Sequence, residues 1–342
     1  MDTFVLFFVA EKKLRKLTEA FGARSAETHF IGCHEAAQVD ELLSSGKRLV
    51  VVHKAGYDMA LRDADAEAAA RYAALTRLPA QQLLDPVDRA VCFADRRRIC
   101  HALRALAPTV MQPQFVELSG SLAEVRSAAA ALSYPLLCKP CVACGPLGHE
   151  LTLVLREEGL ADLCTGPQAS LPLPLLAQEF VNHDGIVLKA YAVGSLTHVT
   201  TQQSLPDLPL RRPADRWPSL LHIDSQHSLA GTVEALGALV HASDCASPAR
   251  TVVSANVPLD EASSSHAATA AATLLDRWRP HVERVVASIR AHMGVELLGV
   301  DLLATSDGRL LVVDANHFSG SPKSVPGFME ALAQVVQARL SD

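Results

Sequence analysis

Long apolar runs, aromatic side chains and excess basic charge are all scarce in this chain of 342 residues. No apolar run approaches the roughly 20 residues that a membrane-spanning helix needs, so no membrane span is expected. Aromatics make up 5 % of the chain and the net charge is -6, which does not favour general nucleic-acid binding. An anionic ligand therefore needs a local basic cluster. There is no Walker A sequence and no protein-kinase glycine loop or HRD motif, so a nucleotide site has to use another fold. The first ten residues are apolar but lack a basic n-region, and they read as a first strand rather than a signal peptide. Eight cysteines are scattered along the chain, which fits free thiols in a reducing cytosol.

What remains is a globular α/β composition, with 49 % hydrophobic and 20 % charged residues. The length suggests two or three domains. Residues 3–10 read as a strand, followed by a helix opening at Glu11-Lys12-Lys13-Leu14-Arg15-Lys16-Leu17. Its basic start is either a solvated face, favoured locally, or an anion site at a helix N-terminus. Strands at 29–31 and 49–54 and a helix from Met59 to Leu78 complete a small α/β unit ending near Asp85-Pro86. Val87 to Leu106 reads as one helix, Gln114 to Leu118 as a strand and Leu122 to Leu132 as a helix.

Tyr134 to Pro140 reads as a buried strand carrying Lys139, a costly placement unless its ammonium meets an anion. The following run, 141–150, reads as a flexible glycine-containing loop. Cys138, Cys141 and Cys144 have zinc-like or cluster-like spacing with His149 beyond. Cys138 lies on the strand and no fourth cysteine follows nearby, so metal binding there is the lesser reading. Leu175 to His183 reads as a strand with a polar end, and 185–193 as a strand with Lys189 at its middle. Residues 204–228 read as irregular, and the Ala/Ser/Thr-rich stretch 236–272 as largely a mobile surface insertion. Helices are expected at 274–293 and 327–340.

The stretch from Leu297 to Asn316 organises the rest. Two apolar strands are joined by Thr305-Ser306-Asp307-Gly308, and Asp-Gly is a type I′ hairpin signal. With Asp307-Gly308 as the loop, counting outward puts Asp301 opposite Asp314. Directly paired residues share a sheet face with Cβ atoms about 5 Å apart, and Asn316 joins that face two residues on. Opposed carboxylates destabilise a strand pair, so either the patch is solvated or a cation sits in it. The apolar flanks favour the cation. Two carboxylates and an amide oxygen suit Mg²⁺, which takes its other oxygens from water and a nucleotide.

Several motifs in order then carry a family resemblance. They are Cys138-Lys139-Pro140, Gly145 with His149-Glu150, Gln178-Glu179-Phe180-Val181-Asn182-His183, Lys189 with Val193-Gly194, Leu298-Gly299-Val300-Asp301, and Val313-Asp314-Ala315-Asn316-His317-Phe318-Ser319-Gly320. Together they resemble the inositol-tetrakisphosphate 1-kinase (inositol 1,3,4-trisphosphate 5/6-kinase) family, over nearly the whole chain. The resemblance implies an α/β ATP-grasp fold of three sub-domains: 1–86, 87–175 and 176–342. The nucleotide would lie between the central and C-terminal ones.

The resemblance also implies roles. Arg96 and Lys139 would contact ATP phosphates, Gln178, Glu179, Phe180 and Val181 would line the adenine pocket, and Ser204 and Ser225 would lie near the nucleotide. Asp301, Asp314 and Asn316 would bind Mg²⁺. Lys13, His149, Lys189, Asn316 and Gly320 would face an inositol polyphosphate, with Lys189 and Asp314 central to catalysis. The implied protein is a monomeric cytoplasmic kinase using ATP and Mg²⁺. Its rivals are an ATP-grasp carboxylate-amine ligase and an inactive inositol-phosphate-binding scaffold.

Three motifs depart from the family's usual pattern. Cys144-Gly145 stands where His-Gly is usual, Gln202-Gln203-Ser204-Leu205 where Arg-Pro-Ser-Leu is usual, and Asn316-His317-Phe318-Ser319-Gly320-Ser321 where Asn-x-Phe-Pro-Gly-Tyr is usual. The change at Gln202 removes a cation, worth about 1.5–3 kcal/mol in a charged hydrogen bond.

Overall fold

The computed structural model describes residues 3–11, 28–44, 48–165, 171–209, 216–224, 234, 236–240, 265–318 and 325–341. Lys13, Ser225, Ser319 and Gly320 lie outside the described residues, as do most of the basic helix start and of the 236–272 insertion.

The chain builds three sheets. In the first, β1 (Thr3–Phe8) lies between β2 (Thr28–Cys33) and β3 (Arg48–His53), all parallel. Parallel strands covered on both sides carry continuous apolar sequence. Leu6, Phe8 and Val51 pack with Val39, Ala55 and Leu75 of α1 (Ala36–Ser44), α2 (Ala55–Leu61) and α3 (Ala66–Arg77). The alternate residues Phe7, Val50 and Val52 pack with Phe318, Phe328 and Leu332 from the end of the chain.

The second sheet has the order β10-β6-β5-β7-β4, all antiparallel. Its strands are β4 (Phe115–Leu118), β5 (Leu136–Pro140), β6 (Glu150–Val154), β7 (Leu175–Glu179) and β10 (Leu220–Asp224). One face, with Leu136, Cys138 and Ala177, buries against Val125 and Leu160 of the helices 122–129 and 159–165. Successive side chains point to opposite faces, so Leu137, Lys139 and Gln178 face the other way and line a cleft. Cys138 lies inside the apolar core, and burial pushes its thiol up to about 12.

The third sheet, β12-β11-β8-β9, is also antiparallel. It contains β8 (Ile186–Val193), β9 (Leu196–Gln203), β11 (Leu297–Ala304) and β12 (Leu310–His317). A long helix, Ser265–Met293, covers its outer face through Val282, Val286 and Ile289.

Several expectations need correction. Val87–Leu106 is two helices, Val87–Cys92 and Arg96–Arg104, because the Asp95 carboxylate caps the Arg97 amide at 2.9 Å. The helix expected at 59–78 divides the same way, with Asp65 capping α3. The irregular stretch 204–228 contains β10, and the long C-terminal helix starts within the expected insertion, at Ser265. The boundary at 175/176 falls inside β7, and β7 and β10 both belong to the central sheet. Phe93, Ile99 and Leu103 pack with the third sheet, so the Arg96–Arg104 helix joins the C-terminal core, while Val87, Ala90 and Val91 of the helix before it pack in the first sheet's core.

The hairpin turn also differs. Thr305 pairs with Arg309, Gly308 adopts φ 85°, and its amide bonds to Thr305 O at 3.0 Å. This is a three-residue loop rather than a two-residue one. It sets Leu302 opposite Val312. Val313 then has no partner, and this one-residue bulge restores Asp301 opposite Asp314.

Candidate active site

A cavity of about 980 Å³ lies between the second and third sheets, with α2 at its side. Every site residue named from the sequence that falls within the described residues lines it. From the central sheet and its loop come Lys139, His149 and Gln178 to Val181. From the third sheet come Lys189, Asp301, Asp314 and Asn316, with Ser204 just beyond β9 and Arg96 below.

Asp301 is directly paired with Asp314 on one side and with Lys189 on the other. Lys189 Nζ donates to Asp301 Oδ2 at 3.0 Å. Asn316 Nδ2 donates to Asp314 Oδ2 at 3.0 Å, which places all three side chains on one face. Burial pushes the Asp301 carboxyl above the usual range; Lys189 pulls it back and Asp314 adds to the rise. Burial lowers the Lys189 ammonium, but Asp301 and Tyr191 overcome this, and the net shift is upward. Two opposed carboxylates, with the Lys189 ammonium beside Asp301 on the side away from Asp314, form an oxygen-rich, half-buried spot. Oxygen donors of this kind fit a hard divalent cation, and so few of them fit one that keeps water and phosphate ligands.

Lys139 faces this patch from the other sheet. Its ammonium is almost fully buried and donates to Val313 O at 3.0 Å. Burial lowers its pKa, and Asp314 partly restores it.

The loop after β5 is held rather than free. Arg96 N bonds to Cys141 O and Ala143 N to Ala94 O, each at 2.8 Å. The Arg96 guanidinium donates to Pro140 O at 2.7 Å and to Gly148 O at 2.9 Å, with a longer bond to Val142 O. A Cβ on Gly148 would meet Ala143 O at 2.7 Å, so the fold of the loop requires glycine there. Arg96 is thus engaged with the carbonyls of the loop, and it also lines the cavity, with its Nε unpartnered among the described residues. Capping by Asp95 sets Arg96 at the first helical position, under the loop, where it shapes the cradle.

The segment after β7 crosses from the second sheet to the third. Phe180 N bonds to Pro135 O at 2.8 Å, and the Glu179 carboxylate is turned away to Ser133 N at 2.8 Å. Glu179 therefore offers the cavity its backbone. Asn182 exchanges two bonds with the Leu208 backbone, and Asp207 accepts from His183 N at 2.7 Å.

Sequence reasoning missed Lys54, which lines the cavity with its ammonium on Phe318 O and 5.0 Å from the Phe318 ring centroid. The strand-end lysine was visible in the sequence, but its approach to Phe318 depends on tertiary packing. It also missed Asp85, buried at φ 74°, which accepts from Glu296 N, Leu297 N and His317 Nε2. The departures at Cys144 and Gln202 both face the cavity.

Two antiparallel sheets closing on such a cavity, with lysines and carboxylates on its walls, define an ATP-grasp protein. The likeness to solved structures agrees in fold. A RimK-domain ATP-grasp protein from Sphaerobacter thermophilus has a TM-score of 0.53 at 15 % identity, covering 98 % of this chain and 99 % of that one. D-alanyl-alanine synthetase A from Vibrio cholerae gives 0.54 at 12 % identity, over the whole of both chains.

Within that class, residues 106–230 match the model of the inositol 1,3,4-trisphosphate 5/6-kinase ATP-grasp domain. Inositol-tetrakisphosphate 1-kinase 4 of Oryza sativa subsp. indica is 28 % identical over 253 residues, covering 72 % of this chain and 60 % of that protein. Inositol-tetrakisphosphate 1-kinase of Danio rerio is 24 % identical, covering 61 % of this chain and 43 % of that protein. The chain thus spans only part of the length of these curated relatives.

Proposed function

We propose that this protein is an ATP- and Mg²⁺-dependent kinase that phosphorylates hydroxyls of inositol polyphosphates. The observation that carries this reading is Asp301 set opposite Asp314, with Lys139 and Lys189 on the same cavity. Phosphoryl transfer needs mainly positioning and charge neutralisation, and these groups supply both.

In this reading the backbone of 179–181 holds the adenine edge, and Ser204 and Ser225 lie beside the nucleotide. Lys139 neutralises ATP phosphates, and the loop shaped by Arg96 covers them. Asp301, Asp314 and Asn316 would hold Mg²⁺, which when bound would offset the negative charge of the phosphates. Lys13, Lys54, His149, Lys189 and Gly320 receive the phosphates of the substrate. A substrate hydroxyl attacks the γ-phosphorus in line, the bond to the β–γ bridging oxygen breaks, and ADP leaves. No side chain is assigned as general base, which a loose transition state tolerates.

The reading includes a monomer, since residues of one chain close the cavity. It also includes the cytoplasm, supported by seven free cysteines among the described residues. Among the described residues no helix is long and apolar enough to cross a membrane.

The test is ADP release with Mg²⁺-ATP against inositol tris-, tetrakis- and pentakisphosphates, with product isomers resolved. Turnover on at least one supports the kinase. Turnover only with a carboxylate and an amine would make it a ligase. ATP binding without any turnover would make it a scaffold.

A further inference from the structure

Asn316, His317 and Phe318 end β12 at a corner. Asn316 pairs with Gly299 and faces the carboxylate patch, where its Nδ2 donates to Asp314 Oδ2 at 3.0 Å. His317 pairs with Leu298 and points to the other face, the one on which Leu298 and Ala315 are packed. There its ring centroid lies 5.6 Å from that of His53 and 6.2 Å from that of Phe93. Phe318 then leaves the strand with φ 47°, a left-handed backbone that a bulky side chain keeps only where its surroundings impose it.

What imposes it is a closed circuit of contacts running through Asp85. His317 Nε2 lies 2.8 Å from Asp85 Oδ2, and a carboxylate only accepts, so Nε2 carries the proton and donates. The same carboxylate accepts from Leu297 N at 3.0 Å, and Leu297 O accepts from Phe318 N at 3.3 Å. On the other side, Ala55 N donates to His53 Nδ1 at 3.2 Å, so His53 Nε2 carries the proton and donates to Asp85 O at 2.8 Å. His53 precedes Lys54, whose ammonium donates to Phe318 O and closes the circuit. Asp85 and His53 are buried and the His317 side chain is 5 % exposed, so water has little access to these bonds.

The circuit joins the two ends of the site. Lys54 and Asn316 both line the cavity. Lys54 belongs to the first sheet's unit and is read as receiving a substrate phosphate. Asn316 belongs to the third sheet and is read as a metal ligand. His317 lies next to Asn316 in the chain, and its side chain points away from the carboxylate patch. Any effect it has on either ligand therefore passes through the corner.

We infer that His317 is a positioning residue. Held by Asp85, it fixes the corner so that Asn316 faces the metal patch while the Phe318 carbonyl keeps the Lys54 ammonium at the substrate end. The inference rests on the metal and substrate assignments of the kinase reading. His317 stands at the open position of the family's usual Asn-x-Phe-Pro-Gly-Tyr pattern, so the pattern itself does not assign it a role.

The test compares wild type, His317→Phe and His317→Gln as full chains. Phenylalanine keeps a ring beside His53 and Phe93 and loses the donor. The glutamine amide reaches about as far as the imidazole Nε2 and can donate to Asp85. Each protein is melted with and without Mg²⁺ and titrated calorimetrically with inositol 1,3,4-trisphosphate and inositol 3,4,5,6-tetrakisphosphate. His317→Phe should bind the inositol phosphate about tenfold more weakly than wild type, the effect of one lost hydrogen bond. Mg²⁺ should raise its Tm by less than it raises that of wild type. His317→Gln should restore both. Should His317→Phe fail to fold, His317→Asn, too short to reach Asp85, takes its place.

A residue that only props up the fold would lower the Tm of the unliganded protein and leave the affinity and the Mg²⁺ shift at wild-type values. That result in His317→Phe would overturn the inference and leave the kinase reading standing. So would a folded His317→Gln that restores neither. If wild type binds neither inositol phosphate, the substrate reading falls, and the Mg²⁺ shift alone decides whether His317 positions Asn316.

Discussion

Lys139 Nζ donates to the carbonyl of Val313 at 3.0 Å, and Val313 is the unpaired residue of the β12 bulge. The bulge does two things at once. It returns the strand pair to the register that opposes Asp301 and Asp314, and it presents a carbonyl to the other sheet. Val312 N takes Met111 O at 2.8 Å on the same edge. The two walls of the cavity are thus tied by the residue next to Asp314.

Lys139→Met should lower turnover at least about 100-fold, the usual effect of removing a donor aimed at developing negative charge. Stability should change little. The lost bond to Val313 is offset by removing a buried ammonium whose pKa burial already lowers. Steady-state kinetics and a thermal melt check both. Turnover within threefold of wild type would remove Lys139 from the phosphate site.

The carboxylate pair and the cleft lysines were legible in the sequence because hairpin and strand patterns are local information. Lys139 and Lys189 stand out as lysines inside apolar strands, and Asp301 and Asp314 meet by a count along one hairpin, whereas Gln178 followed only from the family resemblance. The Asp301–Asp314 pairing was read correctly by a count that assumed the wrong turn. Asp-Gly signals a short hairpin, but Thr305 bonding to Arg309 lengthened the loop, and the bulge at Val313 compensated. No local signal announces a bulge. The anchoring of Arg96 to the loop was not legible, because its carbonyl partners lie 44 to 52 residues away. The sheet membership of β10 was hidden for the same reason, since a short strand in a polar stretch shows itself only by pairing with β6.

Asp314→Asn should abolish turnover while leaving the unliganded protein at least as stable as wild type. It removes one of two opposed carboxylates at a half-buried site. Mg²⁺ should raise the Tm of wild type and leave that of the variant unmoved. A variant that keeps wild-type turnover would remove the metal assignment.

Lys189→Met should act in the opposite sense on the unliganded protein. Asp301 loses its cation partner at 3.0 Å and faces Asp314 alone. The expected loss is about 1–3 kcal/mol, as for a charged hydrogen bond. Mg²⁺ should then stabilise the variant by more than it stabilises wild type. Equal Mg²⁺ shifts in the two proteins would separate Lys189 from the metal patch.

Asp85→Ala should be among the most damaging single changes. Asp85 is 1 % exposed and holds the start of β11 and the end of β12 to the first sheet's unit. Alanine would leave two amides and His317 without their acceptor and would sit at φ 74°. A loss of about 3–5 kcal/mol is expected, as for a broken buried charged contact. Asp85→Asn tolerates the same backbone and keeps one acceptor, so it should lose less in urea denaturation.

His53 makes stability fall as pH drops below 6.5. It is 1 % exposed, and its Nε2 lies 2.8 Å from Asp85 O. Burial, aided by His317, lowers its pKa from 6.5 to about 4. Above 6.5 neither state holds the proton. As pH falls from there to about 4, the unfolded chain gains it and the folded one does not, so stability falls, by up to about 1.4 kcal/mol per pH unit. Below about 4 the loss levels off. Asp58 opposes this over part of the window, because burial pushes its carboxyl up to about 6 despite Arg71 at 2.9 Å. Its contribution is present at low pH and is lost as pH rises through 6. The two are separated by comparing wild type with His53→Gln, which share Asp58. The difference in their denaturation free energies should narrow steadily as pH drops from 6.5 to about 4 and stay constant on either side. A difference that does not vary with pH across that window would mean that His53 titrates alike in both states.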